Sequence, residues 1–582
     1  MVMLSAENIP TGQMKGEQAS VYKRWKRLES DRSSWRSHWM EISDYLIPRR
    51  GRYLIDGGQN NRGKVRSNKI IDSSPTQALR TMAAGMMSGM TSPARPWFRF
   101  TTQDPDMMNN FEIKRWVQQV EKTCRFILNN SNFYNTVYNV YQELGAFGTS
   151  PLYRQRSADQ TIRFRQFTAG EYVIAENDQG VVDTLGREFT MSVSQVIEKF
   201  VMGGDRSLPE SDWDWSGVSE ATKRLWNNSD YDTLVPIVHM VQPRRNHERD
   251  PNRLDVKNKR FKSCYFELGA DGQDLLEEGG YDTFPAYVPR WDVLQGDVYG
   301  RSPAMDHLGD IKQLQHEQKR KAQAIDKMVN PPMVAPSSLK GRPTTVIAGG
   351  TTYVDGTQGQ PAFTPAYQIQ PRIQELMVDI QEVQQRIARG FYADLFAMMI
   401  SSDRRQITAT EVAERHEEKL VLLGPVLQRL NVELLDPLLD DTFAFALERG
   451  MIPPPPQDLA EGVLDVQYVS LLAQAQQAVA ASGIERTMSF AGNLVAVFPD
   501  IVDNLDADAA LREYSDILGN PLDIMKDTAA VAATRQARAE QQQQQQAMAA
   551  ASEAAQGAKI LSETDTQNPN ALTDMLGTGL TA

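Results

Sequence analysis

The chain has 582 residues, 41% of them apolar, which is enough for more than one ordinary domain with sizeable cores. Its two cysteines, Cys124 and Cys264, cannot build a disulfide framework and indicate a reducing compartment. A net charge of −12 argues against a protein that binds nucleic acid tightly over a wide surface.

Charge is distributed unevenly along the chain. Residues 1–66 carry 13 Lys and Arg against 7 Asp and Glu, whereas residues 431–582 carry 7 against 22. Either the two ends meet different partners or the acidic end is a solvated face. The first ten residues lack the pattern of a signal peptide, and the apolar residues 82–90 are too few to cross a bilayer. We therefore expect a soluble protein made in the cytosol, with no membrane partner.

Residues 1–298 have the pattern of one α+β body. Aromatic and aliphatic residues recur at helical spacing over residues 17–47, and further helices are expected at 76–90 and 111–144. Alternating apolar residues between turn signals then predict strands. These strands are expected at residues 151–156, 162–167, 171–177, 181–191, 234–242, 262–268 and 286–294, with a short helix at 193–201.

Residues 58–64 spell GxxxxGK, the first part of a phosphate-binding loop. Such a loop needs Ser or Thr at the next position to ligate magnesium, and a helix must follow. Val65 stands at that position, and the residues after it do not start a helix. We predict a basic surface loop here rather than a nucleotide site.

Residues 299–332 predict a long helix. Ser302 can cap it, Pro303 suits its first position, and Asn330-Pro331-Pro332 ends it. Its apolar residues are few, and residues 316–321 are polar all round. Because this is a poor core helix for a single chain, it must bridge two bodies, pack against copies of itself or line a wet space.

A small insert at residues 333–370 separates this helix from a second one. Its TTVIA-GG-TTYVD stretch predicts a β-hairpin with a two-residue turn at Gly349-Gly350. A second long helix is expected from Pro371 to about residue 397. Its heptad seam consists of Ile373, Leu376, Ile380, Val383 and Ile387. Two long helices around a β insert indicate a stalk with a cap.

The rest of the chain is predicted to be mainly helical. A loop at residues 398–407 precedes a capping box at Thr408-Ala409-Thr410-Glu411 and a kinked helix that ends near residue 450. Short helices without strand signals are expected over residues 451–530. Residues 531–582 are rich in Ala and Gln and form either a helix or a disordered tail, with the last twenty or so residues disordered.

No catalytic site, metal site or cofactor is expected. The two cysteines are 140 residues apart, and His307 and His316 fall on opposite faces of one helix, so no zinc set forms. The acidic residues at 500–508 lack the Gly and terminal Glu of a calcium loop. Hydrolase, zinc-protease and dinucleotide signatures are missing from the sequence. The sequence therefore predicts a protein that is not an enzyme.

The order of these segments resembles that of the portal, or head-to-tail connector, proteins of short-tailed bacteriophages. The resemblance covers about residues 17–530, and the Ala/Gln-rich tail matches only in composition. The residues that carry it are Tyr299-Gly300-Arg301-Ser302 with Leu308-Gly309-Asp310, Gln406-Ile407-Thr408-Ala409-Thr410-Glu411, residues 22–28 and 35–48, and Arg95-Pro96-Trp97-Phe98-Arg99.

This resemblance implies a protomer with an α+β wing, a two-helix stem, a small β-containing clip and a helical C-terminal crown, assembling as a ring. It assigns residues 1–298 and the kinked helix 408–450 to the wing, 299–332 and 371–397 to the stem, 333–370 to the clip, 398–407 to a channel loop, 451–530 to the crown and 531–582 to a tail with a possible barrel helix.

The resemblance also implies a function and partners. Twelve copies would form a ring at one capsid vertex, and double-stranded DNA would pass through it, without regard to sequence, during packaging and ejection. The clip would contact the terminase and later the tail adaptor, while other surfaces would meet capsid, scaffolding and internal core proteins. We expect the protein in the virion, after synthesis in the cytoplasm of the host bacterium.

Candidate residues follow from these roles. A loop at the end of the stem could present Arg404, Arg405 and Gln406 to DNA, although the two arginines could instead pair with Asp403 or Glu411 at a subunit contact. Candidates for the channel lining of the stem are Lys312, Lys319, Arg320 and Lys327. Candidates for the terminase and adaptor contact of the clip are Lys340, Arg342, Tyr353 and Asp355.

Two other interpretations stay open at this point. The chain could be another structural protein of a phage particle, such as a scaffold or core component. It could also be an enzyme of the packaging machinery, although the incomplete phosphate loop argues against that.

Overall fold

Helices and antiparallel sheets share the chain, which confirms the α+β class predicted from the sequence. The computed structural model describes residues 17–55, 66–102, 107, 110–156, 162–250, 252–253, 255–269, 275–335, 337, 340, 364–365, 373–401, 423–456, 459, 464–468, 483–494, 498, 505–518 and 528–563. One unit consists of residues 1–105 and 116–475, and a second consists of residues 106–115 and 476–582.

The helices follow one another in this order. They are α1 (Glu17–Tyr45), α2 (Arg52–Ile55), α3 (Ser74–Met90), α4 (Phe111–Asn130), α5 (Phe133–Phe147), α6 (Val193–Val196), α7 (Glu220–Asn227), α8 (Pro303–Asp306), α9 (Leu308–Val329), α10 (Ile373–Gly390), α11 (Ala393–Ser401), α12 (residues 423–430), α13 (Asp436–Glu448), α14 (residues 483–494), α15 (Ala507–Leu518) and α16 (Thr528–Glu563). A π turn, Ile197–Val201, follows α6, and another, Asn431–Leu435, joins α12 to α13.

The described strands form two sheets and two isolated pairs. They are β1 (Phe98–Thr102), β2 (Leu152–Arg156), β3 (Ile162–Gln166), β4 (Tyr172–Glu176), β5 (Val182–Ser192), β6 (Leu234–Pro243), β7 (Phe261–Glu267), β8 (Glu277–Tyr281), β9 (Ala286–Tyr287), β10 (Met333–Val334), β11 (Thr364–Pro365) and β12 (Leu464–Tyr468). The sheet orders are β4-β5-β6-β7-β8 and β3-β2-β9, and the pairs are β1-β12 and β10-β11, all antiparallel.

Helix α1 covers one face of the five-stranded sheet. Its residues Val21, Tyr22 and Trp25 pack against Met240 of β6 and Phe266 of β7, all of them buried. Trp25 and Trp39 of α1 are buried, whereas Trp35 is half-buried. Burial of these large side chains is the main favourable term that holds the helix on the sheet.

The helix α3 packs closely on α11. At Gly85, an added Cβ would lie 2.2 Å from Cγ of the buried Phe396 side chain on α11. Only a residue without a side chain allows this separation, because protein interiors are packed without spare volume. Gly85 thus allows α3 to pack closely on α11.

Two buried ion clusters attach α12 and α13 to the sheets of the first unit. Arg290 donates to Glu433 at 2.7 Å and to Glu176 at 3.0 Å. Arg154 pairs with Asp441 at 2.9 Å, and the Tyr287 hydroxyl donates to the same carboxylate at 2.8 Å. Because each charge is matched by an opposite charge or a hydroxyl donor, these side chains can be buried between helix and sheet.

The structure differs from the sequence predictions at several boundaries. The long helix predicted from residue 302 is interrupted at His307, and the block predicted at 111–144 is interrupted between α4 and α5. Helix α11 reaches Ser401, into the loop predicted at 398–407. Only two residues of the strand predicted at 286–294 form a named strand, β9.

Five of the described strands were not predicted: β1, β8, β10, β11 and β12. The last of these contradicts the prediction of a purely helical region after residue 450. β12 pairs with β1, with Phe98 opposite Tyr468, across more than 350 residues of sequence. A five-residue segment with half-buried side chains has no local signal strong enough to reveal a partner so far away.

The second unit, within its described residues, is helical. Helix α16 spans 36 residues from Thr528, so the helical alternative that the sequence left open for the tail is the one observed there. Arg535 of α16 forms two hydrogen bonds with the carboxylate of Asp508 on α15, at 2.6 and 2.7 Å. Both side chains are solvent-exposed, so this pair contributes little stability.

The contact between α3 and α11 gives the first testable prediction. Gly85→Ala should lower the free energy of unfolding by about 1–3 kcal/mol, because the new methyl group would overlap Phe396. Gly309→Ala is the matched control, since nothing lies within 4 Å of the added Cβ on α9, and it should be neutral or slightly stabilising. Thermal unfolding of the two variants beside the wild type measures both effects. An unchanged midpoint for Gly85→Ala would contradict the close packing.

Candidate functional site

The entry to the long helix is a buried joint built by Tyr299, Gly300 and Ser302. The Tyr299 ring lies 5.2 Å from the Trp39 ring of α1, and its hydroxyl accepts a hydrogen bond from the backbone N–H of Ile174 at 3.2 Å. Ser302 is fully buried, and its hydroxyl accepts from Met305 N at 3.1 Å, as the predicted helix cap. The joint therefore connects α1, β4 and the start of α8.

Gly300 lies directly against the backbone at the end of α5. A Cβ on Gly300 would be 2.3 Å from the carbonyl oxygen of Gly148, which has a φ of +77°. Gly300 N also donates to Thr149 Oγ1 at 2.8 Å, and Ser302 Oγ donates to the carbonyl of Ala146 at 2.8 Å. Close packing therefore requires Gly at position 300, and hydrogen bonding favours Ser at position 302.

Helices α9 and α10 form an antiparallel pair, called the helix pair below. Arg386 Nη2 lies 3.7 Å from the Asp310 carboxylate and 3.5 Å from Gln313 Oε1. Nearer the base, an added Cβ on Gly390 would lie 2.2 Å from the His307 ring. The two helices therefore run in opposite directions, with the start of α9 beside the end of α10.

The seam of the helix pair is buried only near its base. Ile311 and Leu314 of α9 are fully buried, as are Val383 and Ile387 of α10, with Ile380 4% exposed. The outer members of the predicted heptad seam, Ile373 and Leu376, are half-buried. The heptad pattern correctly predicted a packing stripe, but a single neighbouring helix covers only part of it.

Asp72, just before α3, holds both helices of the pair. Its carboxylate oxygen Oδ2 accepts hydrogen bonds from Gln318 Nε2 of α9 at 2.7 Å and from Gln384 Nε2 of α10 at 2.9 Å. Its other oxygen, Oδ1, accepts from the backbone N–H of Ser74 at 2.8 Å and from the Ser74 hydroxyl. One charged group therefore joins three helices.

The backbone of Asp72 is bound as well. Gln315 of α9 is 4% exposed, and its Oε1 accepts from Ile71 N at 2.6 Å and from Asp72 N at 2.8 Å. The Nε2 of the same side chain donates to the Asp72 carbonyl at 2.9 Å. The side-chain amide of Gln315 thus forms hydrogen bonds with the backbone of residues 71 and 72, much as a neighbouring strand would. These bonds fix the rotation of α9 about its axis.

These hydrogen bonds determine the ionisation of Asp72. Partial burial by itself would raise the pKa of the carboxyl group, but hydrogen bonds from Ser74, Gln318 and Gln384 outweigh it. The pKa of Asp72 is therefore lowered from its ordinary value of 3.8. The carboxylate is the form that the three helices bind.

The outer half of the helix pair carries apolar side chains that this single chain leaves exposed. Ile325, Met328 and Val329 of α9 are 42, 50 and 72% exposed. Met377 and Val378 of α10 are 43 and 64% exposed, and the antiparallel register places them roughly one turn or more nearer the base than Met328 and Val329. Both helices therefore expose apolar side chains to which another molecule could bind.

The four cationic candidates of the predicted stem lie on one side of α9. At 100° per residue they span an arc of about 100°. Lys312 is paired with Glu41 of α1, whereas Arg320 Nε donates to His316 Nε2 at 3.4 Å. Lys319 and Lys327 are exposed and make no ion pair with any described residue. Their contact with DNA stays a prediction.

Most of the other candidate residues lie in segments that the structure does not describe. Arg404, Arg405 and Gln406 lie outside the described residues, as do Arg342, Tyr353 and Asp355, the GG hairpin, the capping box and the GxxxxGK loop. Lys340 is described and exposed. Near it, β10 and β11 pair through Met333 opposite Pro365 and Val334 opposite Thr364.

Sequence reasoning missed Asp72, Gln315, Gln318 and Gln384. The Asp-Ser-Ser-Pro stretch before α3 carried a partial signal, because an Asp two residues before a helix commonly accepts a backbone hydrogen bond. The glutamines carried none, since in the sequence they are ordinary polar residues of a polar helix.

The described part of the chain has no feature of a metal or thiol site. Nowhere in it do three or more His, Cys, Asp or Glu side chains gather closely enough to hold a metal ion. Cys124 and Cys264 are free and buried, and burial raises the pKa of both thiols to about 12. Of the helices described, none is long and apolar enough to cross a membrane.

Comparison with known proteins identifies relatives along nearly the whole chain. A family described as bacteriophage head to tail connecting protein matches residues 18–525. The chain is 43% identical over 559 residues to a probable portal protein of Bordetella phage BPP-1, covering 96% of this chain and 98% of the relative. It is 40% identical over 558 residues to the portal protein of Salmonella phage epsilon15, covering 96% and 97%.

The Asp72 contacts give a second prediction. Asp72→Ala should lower the free energy of unfolding by about 1–3 kcal/mol and speed hydrogen exchange in α9 and α10, because two side-chain amides and one backbone N–H, all part-buried, lose their acceptor. Asp379→Ala is the matched control, an exposed carboxylate on α10 without a hydrogen bond to any described residue. Equal exchange rates in Asp72→Ala and Asp379→Ala would show that Asp72 does not hold the pair.

The same contacts predict a pH dependence. Since the folded pKa of Asp72 lies below its unfolded value, its contribution to stability is present above the unfolded pKa and is lost as pH falls through the folded pKa. The difference in unfolding free energy between wild type and Asp72→Asn should therefore shrink as pH falls below 3.8. Denaturant unfolding of both proteins between neutral and acidic pH measures this difference.

Proposed function

The chain belongs to the family of bacteriophage head to tail connecting proteins, and on this premise we propose that it forms the portal ring of a phage particle. It is a structural connector and not an enzyme. We propose twelve copies in the ring, placed at one vertex of the capsid in the virion, with the protein made in the cytoplasm of the host bacterium.

The exposed apolar residues of the helix pair carry the proposal of a ring. Asp72 and the YGRS joint hold the base of the pair in the body, so its outer half extends as a rigid element with Met328, Val329 and Val378 uncovered. In a ring, each helix pair lies beside the next one, and neighbouring copies cover these side chains. Burial of that surface would supply the association free energy.

The stem assignment also explains the polarity of α9. A helix that lines an aqueous channel on one side and contacts copies on the other needs only a narrow apolar stripe. We propose that Lys319, Arg320 and Lys327 face the channel and meet passing phosphates, with Lys312 held by Glu41 at the base. Sparse cationic points in a chain of net charge −12 allow double-stranded DNA to slide without tight binding.

The remaining segments take the roles that the family resemblance implies. We propose residues 1–298 and 408–450 as the wing, 451–530 as the crown and 531–582 as a tail whose helix α16 could add to a barrel. Residues 333–370 form the clip, with Lys340, Arg342, Tyr353 and Asp355 as candidates for binding the terminase and then the tail adaptor. Capsid, scaffolding and internal core proteins are the other proposed partners.

A third prediction tests the ring. Val378→Glu should reduce the assembled fraction by about ten-fold or more at a given protein concentration, because each interface would bury an unpaired carboxylate. Native mass spectrometry and electron microscopy of the purified full chain measure that fraction.

Gln381→Glu is the matched control for this substitution. It adds the same charge at another exposed position of α10 and should leave the assembled fraction unchanged. Circular dichroism verifies that both variants are folded. Rings formed by Val378→Glu at the wild-type level would contradict a stem contact, and a wild type that stays monomeric at micromolar concentration would contradict the ring itself.

A fourth prediction tests the channel loop. Arg404→Ala combined with Arg405→Ala should leave ring assembly intact but lower the DNA retained per particle by roughly two-fold or more, since two phosphate contacts per protomer are lost. The measurement is genome content of particles carrying the variant portal. The control combines Arg163→Ala with Arg206→Ala, two exposed arginines of the proposed wing. Unchanged genome content would remove the proposed DNA role of the loop.

A further inference from the structure

A cleft of about 740 Å³ lies on the sheets of the first unit, away from the helix pair. Strands of both sheets and the π turn after α6 line it, with Tyr153, Arg165, Arg187, Lys199, His239 and Tyr265 among the lining side chains. Its volume is in the range of sites for small organic ligands. The head-to-tail role proposed above uses none of these residues.

Arg187 is the central residue of the cleft. It is 6% exposed, and its guanidinium carbon lies 4.0 Å from the centre of the Phe189 ring and 4.7 Å from that of Phe167. These aromatic faces hold the planar group in one orientation. Side-chain order of this kind is what a preformed binding site requires.

The hydrogen-bonding capacity of Arg187 is not used by the described residues around it. Its nearest carboxylate, Glu171, lies 3.9 Å from Nε, and Arg187 Nε and Glu171 Oε1 are both buried without a hydrogen bond. Burial, together with the charge of Arg165, lowers the pKa of Arg187, while Glu171 offsets this only in part. A buried guanidinium with unused donors gains from an oxyanion that accepts from it.

Two further cations reach the same cleft. Arg165 of β3 is exposed and forms no ion pair within the described ranges. Lys199 Nζ lies 3.9 Å from the centre of the Tyr265 ring and likewise lacks a carboxylate within 4 Å among the described residues. Because Arg154, which also lines the cleft, is already paired with Asp441, Arg165 and Lys199 are the lining cations without an ion pair among the described residues, and Arg187 has only the distant Glu171 at 3.9 Å.

The acidic groups around the cleft do not balance these charges. Glu198 lines it but is bound by Arg206 at 2.7 and 2.9 Å. Glu277 stands opposite Tyr265 in the β7–β8 register, at the edge of the sheet. The ring of His239 is stacked on the Tyr265 ring at 4.0 Å, and its Nε2 forms a hydrogen bond with the Ser263 hydroxyl. Burial lowers the pKa of His239 well below its ordinary value, so this side chain is neutral.

We propose that this cleft binds a phosphate group, either free or carried by a nucleotide, with Arg187 and Arg165 as its main donors and Lys199 as a third cation. A phosphate dianion matches three converging cations better than a single carboxylate, and Arg binds it through two parallel hydrogen bonds. The cleft is larger than one phosphate needs, which leaves room for the rest of a nucleotide.

Isothermal titration calorimetry on the full-length wild type tests this proposal, with inorganic phosphate, adenosine 5′-monophosphate and adenosine at one ionic strength. We expect saturable binding of at least one phosphate-bearing compound and none of adenosine. Tighter binding of the nucleotide than of phosphate would identify a nucleotide as the ligand, and equal binding would identify free phosphate. No saturable binding of either below about 10 mM would overturn the proposal.

Three variants locate the binding. Arg165→Gln and Lys199→Gln remove exposed charges and should fold normally, and each should weaken binding by about ten-fold. Arg163→Gln is the matched control, since Arg163 is exposed on the same strand two positions away and does not line the cleft. Unchanged affinity in Arg165→Gln and Lys199→Gln, or equal weakening in Arg163→Gln, would overturn the assignment to this cleft. Neither result bears on ring assembly.

Discussion

The carboxylate of Asp72 is the contact on which the arrangement of the long helices depends. It receives amide hydrogen bonds from Gln318 and Gln384 on two helices that are separated by a 43-residue segment of sequence, and it also caps the start of α3. A polar contact of this kind is directional, whereas apolar packing alone would allow the helices to slide and rotate. The helix pair therefore leaves the body in one defined direction.

The fixed base of the helix pair determines how the exposed residues of its outer half can be interpreted. A mobile helical hairpin could fold its apolar residues back onto the body, but a helix pair fixed by Asp72 and Gln315 leaves Val329 and Val378 exposed in the single chain. In the proposed ring, the residues that make a single protomer incomplete become the contact between copies. Stability of the protomer and assembly of the ring are then distributed over different parts of the same two helices.

Charged side chains are buried and paired in the body, whereas those on the helix pair are mostly exposed. In the body, Arg290, Arg154 and their acidic partners are buried in matched clusters that attach α12 and α13 to the sheets. On the outer side of α9, Lys319 and Lys327 remain unpaired among the described residues and exposed. Arg187 differs from these clusters, since it is buried with no hydrogen bond to any described residue and with only Glu171 nearby, at 3.9 Å, and this contrast is the reason for assigning it a ligand.

The sequence by itself determined the α+β class, the strands β2 to β7, the two long helices and their capped start, because these depend on local periodicity and on residues such as Ser302 and Pro331 that act on their own neighbourhood. The order of the motifs identified the family. Only the tertiary structure decided which polar residues hold the helix pair, how far its seam is buried and which cations line one cleft. Asp72 meets Gln384 across 312 residues, and Phe98 meets Tyr468 across a still longer stretch. Contacts over such separations leave no period in a single sequence, since they depend on where distant elements come together in space.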